Sequence, residues 1–141
     1  AVRSHVDPRR DAVALQVDLV LCSPAQRTRE TWERVRTGLR SAPEVRFVPE
    51  IYEATADTIL RLIRAVDPTV TALMIIGHNP GLEDLTALLT GGAESQPAGR
   101  VHRAFPTGGF ATLAVPSDWA DLDRGGARLD SLVRPRDLSG D

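Results

Sequence analysis

Two segments in which an apolar strand runs directly into a helix constrain this chain more than any other feature. They are VDLVLCSPAQRTRET (Val17 to Thr31) and TALMIIGHNPGLEDL (Thr71 to Leu85). Each passes from a strand through a cap residue and a proline into an amphipathic helix, and each sets one cationic or ionisable side chain, Arg27 or His78, at the junction. Helix N-termini carry unpaired backbone N–H groups and the positive end of the dipole, so two such junctions favour an anion. The expectation is a phosphate-handling α/β protein.

The rest of the pattern fits that class. Ser23, Pro24 and Gln26 read as cap, first-turn proline and capping box. Thr28, Trp32, Val35 and Leu39 then form one apolar stripe. Val45 to Val48 reads as a short strand. Thr55 or Asp57 starts a helix with Ile59, Leu62, Ile63 and Val66 on one face, and Asp67-Pro68 stops it. Ala72 to Ile76 is the most apolar strand, hence central. Asn79-Pro80 repeats the cap-plus-proline device, and the following helix, lined by Leu82, Leu85, Leu88 and Leu89, runs to Gly91-Gly92. Phe110 to Val115 and Arg128 to Val133 read as late strands, and Asp11 to Gln16 as a short helix. Strands alternating with helices imply a three-layer α/β sandwich, a mainly parallel sheet with helices on both faces. At 141 residues one domain accounts for the whole chain.

Composition narrows the chemistry. All 17 basic residues are arginine, so lysine Schiff bases and the phosphate-loop lysine are excluded. A net charge of -2 gives no global field for nucleic acid or an anionic membrane. Cys22 is the single cysteine and sits in an apolar strand, which makes it a core residue and removes disulfides. His5, His78 and His102 are far apart in sequence, so no metal site is expected. With no membrane-spanning stretch and no signal peptide in the sequence, the expected location is the cytoplasm.

Three side chains are candidates for chemistry. Arg27 lies four residues past Ser23 on the first turn of its helix, where a guanidinium fork can hold two phosphate oxygens; the alternative is a solvated arginine like Arg29, Arg36 and Arg40. His78 follows Gly77 at the carboxyl end of the central strand, where ligands of open α/β sheets bind; the alternative is a structural histidine tying its own loop. Glu53, in IYEA, can protonate a leaving group or lie exposed without a role. Glu83 and Asp84 complement the helix dipole. Arg100, His102 and Arg103 form a small basic loop, read as solvated.

Taken together, LCSPAQRTRET (Leu21 to Thr31), IYEA (Ile51 to Ala54), IIGHNPGLEDL (Ile75 to Leu85) and FPTGGFATL (Phe105 to Leu113) resemble the histidine phosphatase superfamily. The resemblance covers most of the chain from about Val17 onward and is nearest to the SixA-type bacterial phosphohistidine phosphatases. It implies a phosphoglycerate mutase-like fold and metal-independent, cofactor-free dephosphorylation of phosphohistidine or a small phosphoester. It also implies that Arg27 and His78 belong to the phosphate pocket, that Asn79 shapes it, and that Glu53 falls near the family's acid.

Members of the family carry their nucleophilic histidine in an R-H-G or R-H-A motif just after the first strand, and no such string occurs among these 141 residues. The nearest is Arg3-Ser4-His5, which makes His5 the candidate nucleophile, but only Ala1 and Val2 precede it, against the ~5–6 residues of an ordinary strand. The chain begins at Ala1 and its only methionine is Met74. The expectation is thus a domain shortened at its N-terminus and lacking the first strand. Its function is either a phosphatase or a catalytically silent phosphate-binding or regulatory module.

Overall fold

The structure, a computed structural model, describes residues 2–3, 16–39, 42–91 and 110–133. His5, Arg40, Arg100, His102, Arg103 and all but the last residue of the helix expected over Asp11 to Gln16 lie outside them.

Six strands and three α-helices follow in chain order: β1 (Val2–Arg3), β2 (Leu19–Cys22), α1 (Gln26–Val35), β3 (Glu44–Phe47), α2 (Ala56–Arg64), β4 (Ala72–Ile76), α3 (Gly81–Leu89), β5 (Phe110–Ala114) and β6 (Arg128–Val133). The main sheet has the order β1-β4-β2-β3. β2 pairs in parallel with both β3 and β4, whereas β1 lies antiparallel along the other side of β4, with Val2 opposite Leu73 and Arg3 opposite Ala72. The strand expected to be central is thus paired on both sides. On the side of β4 away from β2 lies a two-residue strand of reversed direction. β5 and β6 form a separate antiparallel pair with an irregularity between Thr112 and Leu113.

Strand alternation explains the three layers, because successive side chains point to opposite faces. Leu19, Leu21, Leu73 and Ile75 enter one apolar cluster with Ile59 and Ile63 of α2, Leu85 and Leu89 of α3, and Leu113 of β5. Val20, Cys22, Met74 and Ile76 enter a second cluster with Trp32 of α1. β2 and β4 have no polar face at all, as a sheet covered on both sides requires. This is a three-layer α/β sandwich.

The connection between β5 and β6 joins the same core. Trp119 is buried and its indole N–H donates to the Val70 carbonyl at 2.8 Å, while Arg64 donates to the Leu122 carbonyl at 2.8 Å. At the amino ends of β2 and β4 the Asp18 carboxylate accepts from Thr71 N at 2.7 Å, Thr71 Oγ1 at 2.6 Å and Ala72 N at 3.1 Å. Thr55 caps α2, its hydroxyl accepting from Thr58 N at 3.3 Å. Among the described residues no helix is long and apolar enough to cross a membrane.

Two packing details yield predictions. Gly81 opens α3 against the turn before α2, and a Cβ there would run into the Ala54 carbonyl oxygen. Gly81→Ala should therefore lower stability by about 1–3 kcal/mol in chemical denaturation; an unchanged midpoint would refute the contact. Cys22 is fully buried, and burial lifts its thiol above the ordinary value of 9.0, only partly offset by Thr28 and Arg29. The folded thiol thus keeps its proton at a pH where an unfolded one has lost it. The stability this contributes is present below the unfolded pKa of about 8.5 and is lost as pH rises through the folded value. Iodoacetamide at pH 8 should leave Cys22 unmodified in the folded chain and alkylate it in denaturant, read by mass.

Candidate functional site

The register of β2 on β4 creates the site. Cys22 stands opposite Ile76, and Ser23 N donates to the Ile76 carbonyl at 2.9 Å, extending the ladder by one step. The residues that follow each strand therefore leave the sheet side by side. Ser23 and His78 meet there, with Ser23 Oγ 2.9 Å from His78 Nε2. The Tyr52 ring packs on the imidazole edge-to-face, with centroids 5.4 Å apart and planes at 89°. Ser23 is 0% exposed, His78 is half-buried and Tyr52 is exposed.

Beyond this junction lies an open cleft of about 670 Å³ whose walls include Arg27, Tyr52, Glu53, His78, Asn79 and Asp84. Arg27 and His78, predicted to converge, do line one cavity. The Arg27 guanidinium has no partner among the described residues. Neighbouring arginines differ: Arg29 donates to the Pro24 carbonyl at 2.6 Å and stacks 4.4 Å from the Phe47 ring centre, and Arg36, just past α1, bonds Glu33 through its side chain at 2.8 Å. Arg27 is itself exposed, as the solvated alternative requires, and what distinguishes it from Arg29 and Arg36 is its place on the cleft wall.

The expected caps are a correction. α1 begins at Gln26 behind Ala25 and α3 at Gly81 behind Pro80, and neither N-terminus receives a side-chain cap bond. Ser23 sits two residues too early; its hydroxyl meets His78 and accepts from Ala25 N at 3.4 Å instead. The Thr28 hydroxyl ties the turn together by donating to the carbonyls of Ser23 at 2.7 Å and Ala25 at 2.9 Å. Asn79 likewise falls one residue short of the capping position and lines the cleft. First-turn N–H groups left without a side-chain acceptor are the donors an anion can use.

Glu53 enters the cleft from a different direction. It occupies the left-handed backbone region, φ 54°, in the turn between a 3₁₀ segment (Pro49–Ile51) and α2. A non-glycine residue there is uncommon, and such residues cluster at functional sites. Its carboxylate is exposed and has no partner among the described residues. Asp84, read from sequence as a dipole complement, also lines the cleft. Sequence reasoning missed Tyr52 and the Ser23–His78 bond. Both depend on strand register and on the fold of the IYEA turn, which local pattern does not encode.

No protein-family model matches the chain. An uncharacterized protein of Mycobacterium tuberculosis is 38% identical over 122 residues, covering 85% of this chain and 75% of that protein. One from Mycobacterium leprae is 36% identical over 121 residues, covering 85% and 73%. Among solved structures, the protein assigned as phosphohistidine phosphatase SixA in Nakamurella multipartitia superposes with a TM-score of 0.74 at 32% identity, covering 84% of this chain and 71% of that one. Its counterpart from Agrobacterium tumefaciens gives 0.65 at 30%, covering 84% and 68%. A protein histidine phosphatase SixA solved with tungstate shares the fold, with a TM-score of 0.67 at 23% identity, covering 88% and 72%. With fold and 30–32% identity shared with the Nakamurella and Agrobacterium structures over more than two thirds of their length, the chain belongs to the histidine phosphatase superfamily, with SixA-type proteins as structural neighbours.

Proposed function

We propose that the chain is a single phosphoryl-binding domain of the phosphohistidine phosphatase type. Its cleft receives the phosphoryl group of a phosphohistidine protein or a small phosphoester. The observation that carries this reading is the unpaired Arg27 guanidinium sharing one cavity with His78.

Arg27 holds two phosphoryl oxygens through its planar fork, and His78 donates to a third from the opposite junction. First-turn N–H groups of α1 and α3 add positive potential, and Asn79 shapes the rim. Phosphoryl transfer is governed mainly by positioning and charge stabilisation, which these groups supply without a metal. Glu53, the carboxyl group on the wall beside Tyr52, hands a proton to the departing imidazole or alkoxide. A cytoplasmic location goes with this reading, since the reaction needs access to phosphorylated proteins.

A second reading rests on a specific observation: the 141 residues hold three histidines and no R-H-G or R-H-A string. Covalent transfer needs a nucleophile. Without one, the same cleft serves as a silent phosphate-binding or regulatory module, with His5 as the remaining candidate for turnover.

Binding and turnover are tested separately. Phosphate and tungstate should bind with measurable affinity in calorimetry, and Arg27→Ala should weaken both by about tenfold or more. Equal affinity in the variant would remove the clamp. Phosphate release from phosphohistidine that disappears in His5→Ala would establish the enzyme; binding without release would establish the silent module.

A further inference from the structure

We propose that Ser23 is a positioning residue for His78, fixing the imidazole in the tautomer that presents Nδ1–H to a bound oxyanion. This rests on the phosphate-site reading above and adds the atom through which His78 acts.

A serine hydroxyl has one proton to donate and two lone pairs to accept with. Ser23 is 0% exposed, so its proton needs an acceptor within the protein. Ala25 N–H at 3.4 Å is a donor and occupies one lone pair. The acceptor that the described residues offer the Ser23 proton is His78 Nε2, at 2.9 Å. Nε2 must then be the unprotonated nitrogen of the neutral ring, and the ring proton resides on Nδ1.

Nδ1 has no hydrogen-bond partner among the described residues, although His78 lines the cleft. Ser23 does not line it, so the Nε2 edge is turned toward the buried side. A neutral imidazole held this way offers the cleft a donor, whereas the opposite tautomer would offer a lone pair and repel an oxyanion. The edge-to-face Tyr52 ring restricts rotation of the same imidazole. The S-P step after β2 thus does its work on a residue 55 positions away.

Long-range ¹H–¹⁵N correlation spectra of the labelled chain at neutral to mildly alkaline pH read the tautomer directly, with inorganic phosphate as the probe ligand. The unsubstituted chain should show His78 with its proton on Nδ1 before any ligand is added. Ser23→Ala should shift the ring toward Nε2–H and weaken phosphate binding roughly three- to tenfold, the loss of one oriented hydrogen bond. Ser23→Thr, which keeps the hydroxyl, should preserve both. An Nε2–H ring in the unsubstituted chain overturns the proposal, even if Ser23→Ala fails to fold. So does a folded Ser23→Ala variant that binds phosphate as tightly as the parent. Absence of phosphate binding by the parent would instead strike at the phosphate-site reading, while the tautomer would still decide the Ser23–His78 bond.

Discussion

The pairing of β2 with β4 is the constraint on which the site depends. Parallel strands in this register, Cys22 beside Ile76, send two chain segments out of the same sheet edge one step apart. Candidate side chains then sit within a few residues of that exit, Ser23 and Arg27 on one branch and His78 and Asn79 on the other, while Tyr52 and Glu53 reach the cleft from the turn before α2. A register slip of one residue would turn the side chains of β2 to the opposite faces. The slip is opposed because both faces are apolar and differently packed, Leu19 and Leu21 against α2 and α3, Val20 and Cys22 against Trp32. Core packing therefore specifies the site geometry, and Asp18 secures it from the far end by bonding the residues that open β4.

Magnitudes explain why the site needs several contributors. A single exposed arginine gains little from an anion in water, about 0–1 kcal/mol, and one helix terminus typically adds about 0.3–1 kcal/mol. Neither would hold phosphate alone. Arg27, His78 and two side-chain-uncapped helix starts are set around one cavity, so their contributions can add at one point. A capped α1 or α3 would have its first-turn donors already satisfied. The absence of those caps is where local rules and the site pull in opposite directions, and the site prevails.

Much of this was legible in the sequence, for a physical reason. Periodicity and breakers located β2, α1, α2, β4 and α3 within a few residues, because burial on one face of a helix or both faces of a strand leaves a compositional trace. Arg27 and His78 could be singled out because strand ends that lead into helices are chemically special positions. Thr55 was recognisable as a cap. Ser23 and Asn79 carry the same capping signature and do not cap, since the chain enters α1 and α3 through Ala25 and Pro80. Leu60, absent from the predicted face of its helix, is buried in the same apolar cluster as Ile59 and Ile63. The separate β5–β6 pair and the antiparallel β1 arise from pairing choices between distant segments, which no local window contains.

The direction of β1 sets it apart from the strands that carry the cleft. A strand that delivers a residue to the cleft from its carboxyl end must run parallel to β4, as β2 does. β1 runs the other way: Val2 faces Leu73 and Arg3 faces Ala72, so this two-residue strand points toward the amino end of β4. The cleft lined by Arg27 and His78, by contrast, is built on the parallel β2–β4 pair and the helices that follow those strands, with Leu19, Leu21, Leu73 and Ile75 packed on one face and Val20, Cys22, Met74 and Ile76 on the other. Side chains on both faces therefore hold the two strand exits in the register that brings Ser23 against His78.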